Sequence, residues 1–584
     1  MHDLLRELGR SIVREKSPKE PRKWSRLWNQ EDLSHVLREN KVAENLEGIV
    51  LPRFFRNRND LSKRSTLGVE ALTQMSRIKL LILRGVNFSG CLDSLSNELG
   101  YLDWADYPFH SLPSRFQPNK LVKLMLHYSN IKELWKGIKD LHNLTRMELC
   151  YSKNLVKIPN LSQTPNLEHL DFKGCVKLVH LDASIGSLEK LRDLNLENCK
   201  NLVSIPNSIF HLNSLDYLNL SGCWKLLKYQ LLEKPRQREQ LNKGQGVERH
   251  MTSSICKTLT RPLHIFSSRR HPNSVGLLVP SLCRFPALVH LDISFCNLLQ
   301  IPDAIGQLRC LVSLNIGGNL FDTLPDCIKE LPKLSRLNLE YCKHLKWLPS
   351  THLPIGSSYG GGMYVFNCPN LSDKEGCRLT VISWMIKRIK VNRQSSYPRY
   401  TIEVVIPGSK IPRWFSKQNT GDSVRLDPSP ILDDNNWIGI ACCVTFVVHD
   451  TPTQFLEEIY SPSLVSCGFR RNGYGGIFCE VPIRFKKDYI TTELDHMLLM
   501  FFSREVFIDH YIRDLNGGES DLRVIGLVLA TMMSDYPEVV KVKSCGYRWV
   551  FQEDLEQFNP TMMSTANSSA QNQKHKFLAI QDHQ

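Results

Sequence analysis

The 584-residue sequence lacks the spacings on which several kinds of chemistry depend. Its 18 cysteines form no Cys-x-x-Cys pair and no zinc-type spacing, so neither a disulfide-stapled scaffold nor a zinc module is expected. No Gly-x-x-x-x-Gly-Lys-Ser/Thr occurs, so no loop is expected to cradle a nucleotide phosphate. There is no His-Glu-x-x-His and no paired set of carboxylates. The one match to a nucleophile elbow, Gly356-Ser-Ser358-Tyr-Gly360, runs on into Gly361 and Gly362. An elbow needs a strand before it and a helix after it, so the match reads as coincidence. The longest apolar run, Trp437 to Val448, is too short to cross a bilayer and its β-branched residues suggest a buried strand. The opening Met-His-Asp-Leu-Leu-Arg-Glu-Leu is charged from its third residue, unlike a secretory leader. These absences point to a protein with no catalytic residue, no cofactor, no metal and no membrane span, kept in a reducing compartment, the cytoplasm or the nucleus.

What is present is ordinary globular material, 42% hydrophobic and 23% charged, enough to bury a large core. The formal charge of +15 is uneven: Lys228 to Val275 holds ten Lys/Arg against three Glu, so 10 − 3 = +7 lies in that stretch. This basic segment reads as a surface loop. A patch for a phosphate-bearing or acidic partner is the sharper alternative, but the aromatic interleaving used on single-stranded nucleic acid is missing.

A repeat dominates the rest. From Leu121 units begin at Leu144, Leu167, Leu191 and Leu215, in steps of 23, 23, 24 and 24 residues, and resume at Leu288, Leu311 and Leu334 in steps of 23. Each fits L-x-x-L-x-L-x-x-N/C, with Ser129 and Ser152 at the Asn/Cys position of the first two: Leu167, Leu170, Phe172, Cys175, or Leu311, Leu314, Ile316, Asn319. Five cysteines, Cys175, Cys199, Cys223, Cys296 and Cys342, hold the Asn/Cys position and read as small buried thiols. Leu-x-Leu is a short strand with its leucines inward, the Asn or Cys bonds the backbone of the turn, and a following Ile/Leu-Pro, as at Ile205-Pro206, ends helical continuation on the outer side. One unit cannot bury its leucines alone, but stacked units share a core. Two degenerate units, at Ile78–Leu83 and Leu99–Phe116, precede the series.

The expected fold is an α/β leucine-rich-repeat solenoid followed by an all-β, jelly-roll-like sandwich. Residues 1–64 read as a helical remnant, 65–356 as the solenoid with a basic insertion at 228–285, 357–556 as the β domain and 557–584 as a disordered tail. Strands are expected at Tyr400–Ile406, Trp437–Val448, Ser463–Arg470, Ile477–Phe485, Leu498–Phe502 and Arg523–Ala530.

Several segments resemble the plant TIR-type nucleotide-binding leucine-rich-repeat disease-resistance family. Met1-His2-Asp3 with Leu-Leu-x-x-Leu-Gly-Arg-x-Ile-Val-Arg resembles the MHD motif that closes its nucleotide-binding module. Leu99-x-Tyr101-Leu-x-Trp104, Tyr107-Pro108 and Ser129-Asn130-Ile-Lys-Glu-Leu-Trp135 resemble its repeat entry. Ile406-Pro-Gly-Ser-Lys-Ile-Pro-Arg-Trp414-Phe415 and Asn436-Trp437-Ile-Gly439 resemble its post-repeat jelly roll. The family's TIR and P-loop domains are not in this chain. The resemblance implies recognition of a pathogen effector or a guarded host protein, or contact with a full-length receptor of the same type. A truncated product acting as adaptor or decoy is the alternative.

The geometry of such a solenoid puts alternate strand residues on one concave contact face. The candidates there are Tyr128, Glu148, Tyr151, Asp171, Lys173, Glu197, Phe295, Glu340 and Tyr341. The aromatic ones stand out because tyrosine and its like anchor interfaces. Trp414 and Trp437 are expected in the core.

Overall fold

The computed structural model describes residues 3–15, 17–38, 45–51, 66–226, 284–348, 360–371, 374–394, 398–427, 429–433, 436–449, 465–471, 474–481, 494–508, 526–531 and 540–556. Met1, His2, the 557–584 tail and all of the basic insertion except Arg284 and Phe285 lie outside these. Two compact units, Met1–Leu288 and Val289–Gln584, are taken in turn.

The first unit is a parallel ladder of short strands: β1 (Arg26–Leu27), β2 (Gly48–Val50), β3 (Leu80–Leu83), β4 (Tyr101–Trp104), β5 (Lys123–Met125), β6 (Arg146–Glu148), β7 (His169–Asp171), β8 (Asp193–Asn195) and β9 (Tyr217–Asn219), each paired with the next. The register stacks Leu102, Leu124, Met147, Leu170, Leu194 and Leu218 in one column. All six are almost fully buried. Each such side chain contributes roughly 1.5–3 kcal/mol, so the column is a sum of equal small increments. Helix α1 (Asp3–Arg14) carries the expected apolar stripe, yet Leu4, Leu5, Leu8 and Ile12 are 58–74% exposed. The opposite face is the docked one: Arg14 lies over the stacked rings of Trp24 and Trp28 at 5.2 and 4.9 Å, and Arg10 over Trp28 at 5.5 Å. Helix α2 (Gln30–Arg38) buries Leu33, Val36 and Leu37.

The second unit opens with a ladder of the same kind, β10 (His290–Asp292), β11 (Ser313–Asn315) and β12 (Arg336–Asn338), in parallel register. The ladder does not stop at residue 356, where the sequence reading ends the solenoid. Gly360–Tyr364 forms β13, parallel to β12 and to β14 (Thr401–Pro407). From β14 pairing turns antiparallel, through β17 (Asp495–Ser503), β16 (Trp437–Val448), β18 (Val540–Phe551) and β15 (Lys417–Thr420). A separate antiparallel sheet joins Ser423–Arg425, Gly526–Thr531, Val465–Arg471 and Tyr474–Val481. All 12 residues of β16 are buried, which marks it as the central strand. Trp549, Phe502 and Phe507 join its own Trp437 in the core there, and Trp414 is buried as well.

Three local features differ from the sequence reading. Pro206, Pro302 and Pro325 do not end a helix; each caps the start of a short 3-10 turn, its carbonyl accepting the N–H of Ile209, Ile305 or Ile328. Proline's fixed φ and missing N–H suit that place, where no donor is needed. A helix not foreseen, Lys374–Arg393, follows β13; Val381, Ile382, Met385, Ile386 and Ile389 share a buried face, but Arg378, Arg388 and Asn392 are buried too, so the stripe is mixed in polarity. Several of the Asn/Cys side chains reach past their own turn to the preceding repeat: the thiols of Cys175, Cys199 and Cys223 donate to the carbonyls of Leu149, Phe172 and Leu196 at 3.1, 3.2 and 3.1 Å, and Asn319 donates both to Ile293 of the preceding repeat and to Ile316 of its own turn.

Candidate interaction surface

Between the inward leucines, three columns of side chains face away from the core. In the first unit one column runs Lys123, Arg146, His169, Asp193, Tyr217, and the next Met125, Glu148, Asp171, Asn195, ending at Asn219, which is buried. His127, Lys173 and Glu197 follow each strand on the same side.

Six of the candidates read from sequence fall in this first unit, and each makes a side-chain contact to a neighbouring rung. The carboxylate of Glu148 accepts from His127 Nε2 at 3.2 Å and from Arg146 Nη1 at 2.7 Å. These bonds, the His127 one foremost, hold its carboxyl down to about 2 despite burial. Lys173 Nζ meets Glu197 Oε2 at 3.0 Å, and Tyr151 stacks on Tyr128 with centroids 5.0 Å apart and planes 6° from parallel. Asp171 serves the fold as well as the surface: Oδ1 accepts the Lys173 N–H at 2.8 Å and Oδ2 accepts from Asn195 at 3.0 Å. The same two-residue turn recurs at Asn195, Asn219, Asp292, Asn315 and Asn338. Short Asx side chains are favoured there because they close a turn onto their own backbone. Burial raises the Asp171 carboxyl, opposing the lowering by those donors.

One backbone position repeats with a left-handed conformation. It is the residue before each Asn/Cys site: Tyr128, Tyr151, Gly174, Asn198 and Gly222 in the first unit, and Phe295, Gly318, Tyr341 and Asn367 in the second, with φ between 55° and 74°. Glycine and asparagine take this region readily, whereas another L-residue there costs roughly 1–2 kcal/mol. The sequence reading chose the aromatic residues for their ring chemistry; their strained backbone is visible only in the fold. Gly174 and Gly318 receive the rings of their neighbours, since a Cβ on them would lie 2.6 Å from Tyr151 and 2.3 Å from Phe295.

Two candidates are withdrawn as surface contacts. Tyr341 is only 2% exposed and Glu340 4%. Tyr341 packs edge-on against Phe366 at 5.6 Å in the core that the antiparallel strands close over the last rungs, and Asn338 donates to Glu340 at 2.9 Å. Phe295 stays partly exposed, 5.9 Å from Tyr341. Of the MHD-like motif only Asp3 is described; it pairs with Arg6 at 2.7 Å at the start of α1, where its charge also suits the helix dipole.

The sequence reading missed one further rung. Met363, Val365 and Cys368 repeat the spacing of Leu337, Leu339 and Cys342, and the Cys368 thiol donates to the Leu339 carbonyl at 3.2 Å. The wider step, 26 residues between Cys342 and Cys368, and the absence of leucine hid it. Its glycines are required by packing: a Cβ on Gly361 would lie 2.5 Å from the Arg388 guanidinium, which is fully buried beneath the strand. Among the described residues no group of three or more His, Cys, Asp or Glu side chains is placed to hold a metal, and no helix is long and apolar enough to cross a membrane.

Comparison with known proteins bears on the same regions. Residues 406–556 match the family model of the C-JID domain, and 286–343 that of the leucine rich repeat. Disease resistance protein RPV1 of Vitis rotundifolia is 35% identical over 223 residues, 32% of this chain and 15% of that protein. Disease resistance protein RPP5 of Arabidopsis thaliana is 41% identical over 197 residues, 33% of this chain and 13% of that one. TMV resistance protein N of Nicotiana glutinosa is 30% identical over 348 residues, 57% of this chain and 28% of that one. The chain therefore matches well under two thirds of the length of these relatives.

Proposed function

Because the chain belongs, by its leucine-rich repeats and its C-JID domain, to the plant disease resistance proteins of the TIR-NBS-LRR type, we propose that it is a recognition module of innate immunity that performs no chemistry. Its partner is a protein: a pathogen effector, or a host protein that such effectors modify, met in the cytoplasm or the nucleus. A full-length receptor of the same type is a second candidate partner for the same surface. Binding would regulate defence signalling by favouring one of two receptor states, and only to the extent that the partner prefers that state.

The observation that supports this reading is the division of labour within each rung. Every inward position is spent on the shared core, while consecutive outward positions present charged and aromatic side chains, Arg146, Glu148, Tyr151, Lys173 and Glu197 among them. An extended ladder of this kind offers contact area without assembling a catalytic group. The test is direct binding by calorimetry of the folded chain against a panel of secreted pathogen proteins and a full-length receptor. Saturable binding that falls at least tenfold in the charge-reversed K173E variant supports it. A folded chain that binds none of them contradicts it.

A further inference from the structure

The left-handed position on the ladder is filled in three successive rungs by Gly174, Asn198 and Gly222, the residues that take that backbone most easily. In the two preceding rungs it is filled by Tyr128 and Tyr151, at the same φ of 59°. The backbone therefore does not require tyrosine, and tyrosine is the more strained occupant. Strain of this kind at a single recurring site is a reason to look for a use of the side chain. Here the two rings are stacked 5.0 Å apart, nearly parallel, and Gly174 leaves the space into which the Tyr151 ring settles. Both rings are partly exposed at the border of the outward face. The result is a flat, rigid aromatic platform that loses little side-chain freedom when covered, the property that makes tyrosine an interface anchor.

The charge around it selects the class of partner. Lys123, Arg146 and Lys173 are balanced by Glu148, Asp171 and Glu197, so 3 − 3 = 0. Arg146 is paired with Glu148 at 2.7 Å and Lys173 with Glu197 at 3.0 Å. A balanced, self-paired rim sets up no net field to draw in a polyanion or an anionic bilayer, which bind through accumulated positive charge. It suits a polypeptide of low net charge whose aromatic or proline side chain covers the rings. We propose that Tyr128 and Tyr151 form the anchoring platform for a low-charge polypeptide loop of the partner, a proposal that rests on the recognition reading above and gives that surface its anchor.

The test uses the full-length chain with Y128G, Y151G and Y151N variants. Glycine and asparagine already occupy the equivalent site in the next rungs, so the fold accommodates both. Thermal unfolding comes first: the midpoint is expected to stay level or rise. A clear fall in all three variants would make the tyrosines structural and overturn the proposal. The second arm pans a phage-displayed library of random twelve-residue peptides on the unmodified chain. Enriched peptides of low net charge, rich in aromatic residues or proline, are expected to lose at least tenfold in affinity for Y151G and Y151N alike. Peptides that bind elsewhere on the ladder, indifferent to these substitutions, would overturn the platform while leaving the recognition reading intact. Competition by a single-stranded DNA oligonucleotide or by phosphatidylserine vesicles would overturn the choice of partner class. Enrichment of no peptide anywhere on the chain would count against both.

Discussion

A repeat strand such as Asp193–Asn195 buries one leucine between two outward polar residues, whereas Trp437–Val448 buries all 12 of its residues at the centre of an antiparallel sheet. The first kind of strand contributes a small increment shared with its two neighbours and leaves half of its surface available for contact. The second kind contributes a large core and leaves little to offer. The contrast suggests a separation of tasks: the rungs supply adaptable surface, and the long strands supply a cooperative block on which the last rungs end. Damage should therefore spread differently in the two regions.

The largest effect is expected at the central sheet. W549A removes a ring packed against Trp437 and Phe507 and strands the Asp427 carbonyl, to which its indole donates at 2.7 Å. It should cost about 3–5 kcal/mol and lower a single unfolding transition as a whole, read by urea denaturation. L194A, at the middle of the ladder, should cost about 3 kcal/mol but loosen mainly the rungs beside it, as hydrogen exchange would show. If both variants unfold their regions all-or-none, the contrast fails. E148Q should cost about 1–3 kcal/mol near neutral pH. The sign follows from the depressed carboxyl: the stabilisation is present above the ordinary value of 4.5 and is lost as pH falls toward about 2. The wild type should therefore lose more stability than E148Q across that interval in acid titration of the unfolding midpoint. The smallest effect belongs to C199A, about 1 kcal/mol, because it removes one thiol bond to the Phe172 carbonyl and little volume.

The two regions were also unequally legible in the sequence. The ladder announced itself because its period repeats the same physical demand, an inward pair of apolar residues two apart and a buried Asn, Cys or Ser, eight times over. The final rung escaped because Met363 and Val365 replace leucine and three glycines precede them, and nothing local tells that Arg388 must fit against Gly361. Long strands such as β16 could be read from β-branched runs, but β18, whose start alternates with Lys541 and Lys543, could not be separated from surface sequence. On the surface, periodicity located Glu148, Asp171, Lys173 and Glu197 on one face. It could not tell that Asp171 also closes a turn, that Glu340 and Tyr341 are covered by the antiparallel strands, or that the tyrosines sit on left-handed backbone. The covering of Tyr341 depends on Phe366, 25 residues away, beyond the reach of local pattern.

The account depends most on the repeat ladder passing without a break into the sheet of the C-JID domain. Residue-resolved hydrogen exchange on residues 339–366 tests this directly. Leu339 N–H is bonded to the Tyr364 carbonyl at 2.7 Å, Gly362 N–H to Ser335 at 3.0 Å and Val365 N–H to Val405 at 2.7 Å. These amides should be protected as strongly as those of β11 and β12 and should exchange together with β14. Exchange of the Gly360–Phe366 amides at the rate of an open loop, while both flanking regions stay protected, would contradict it.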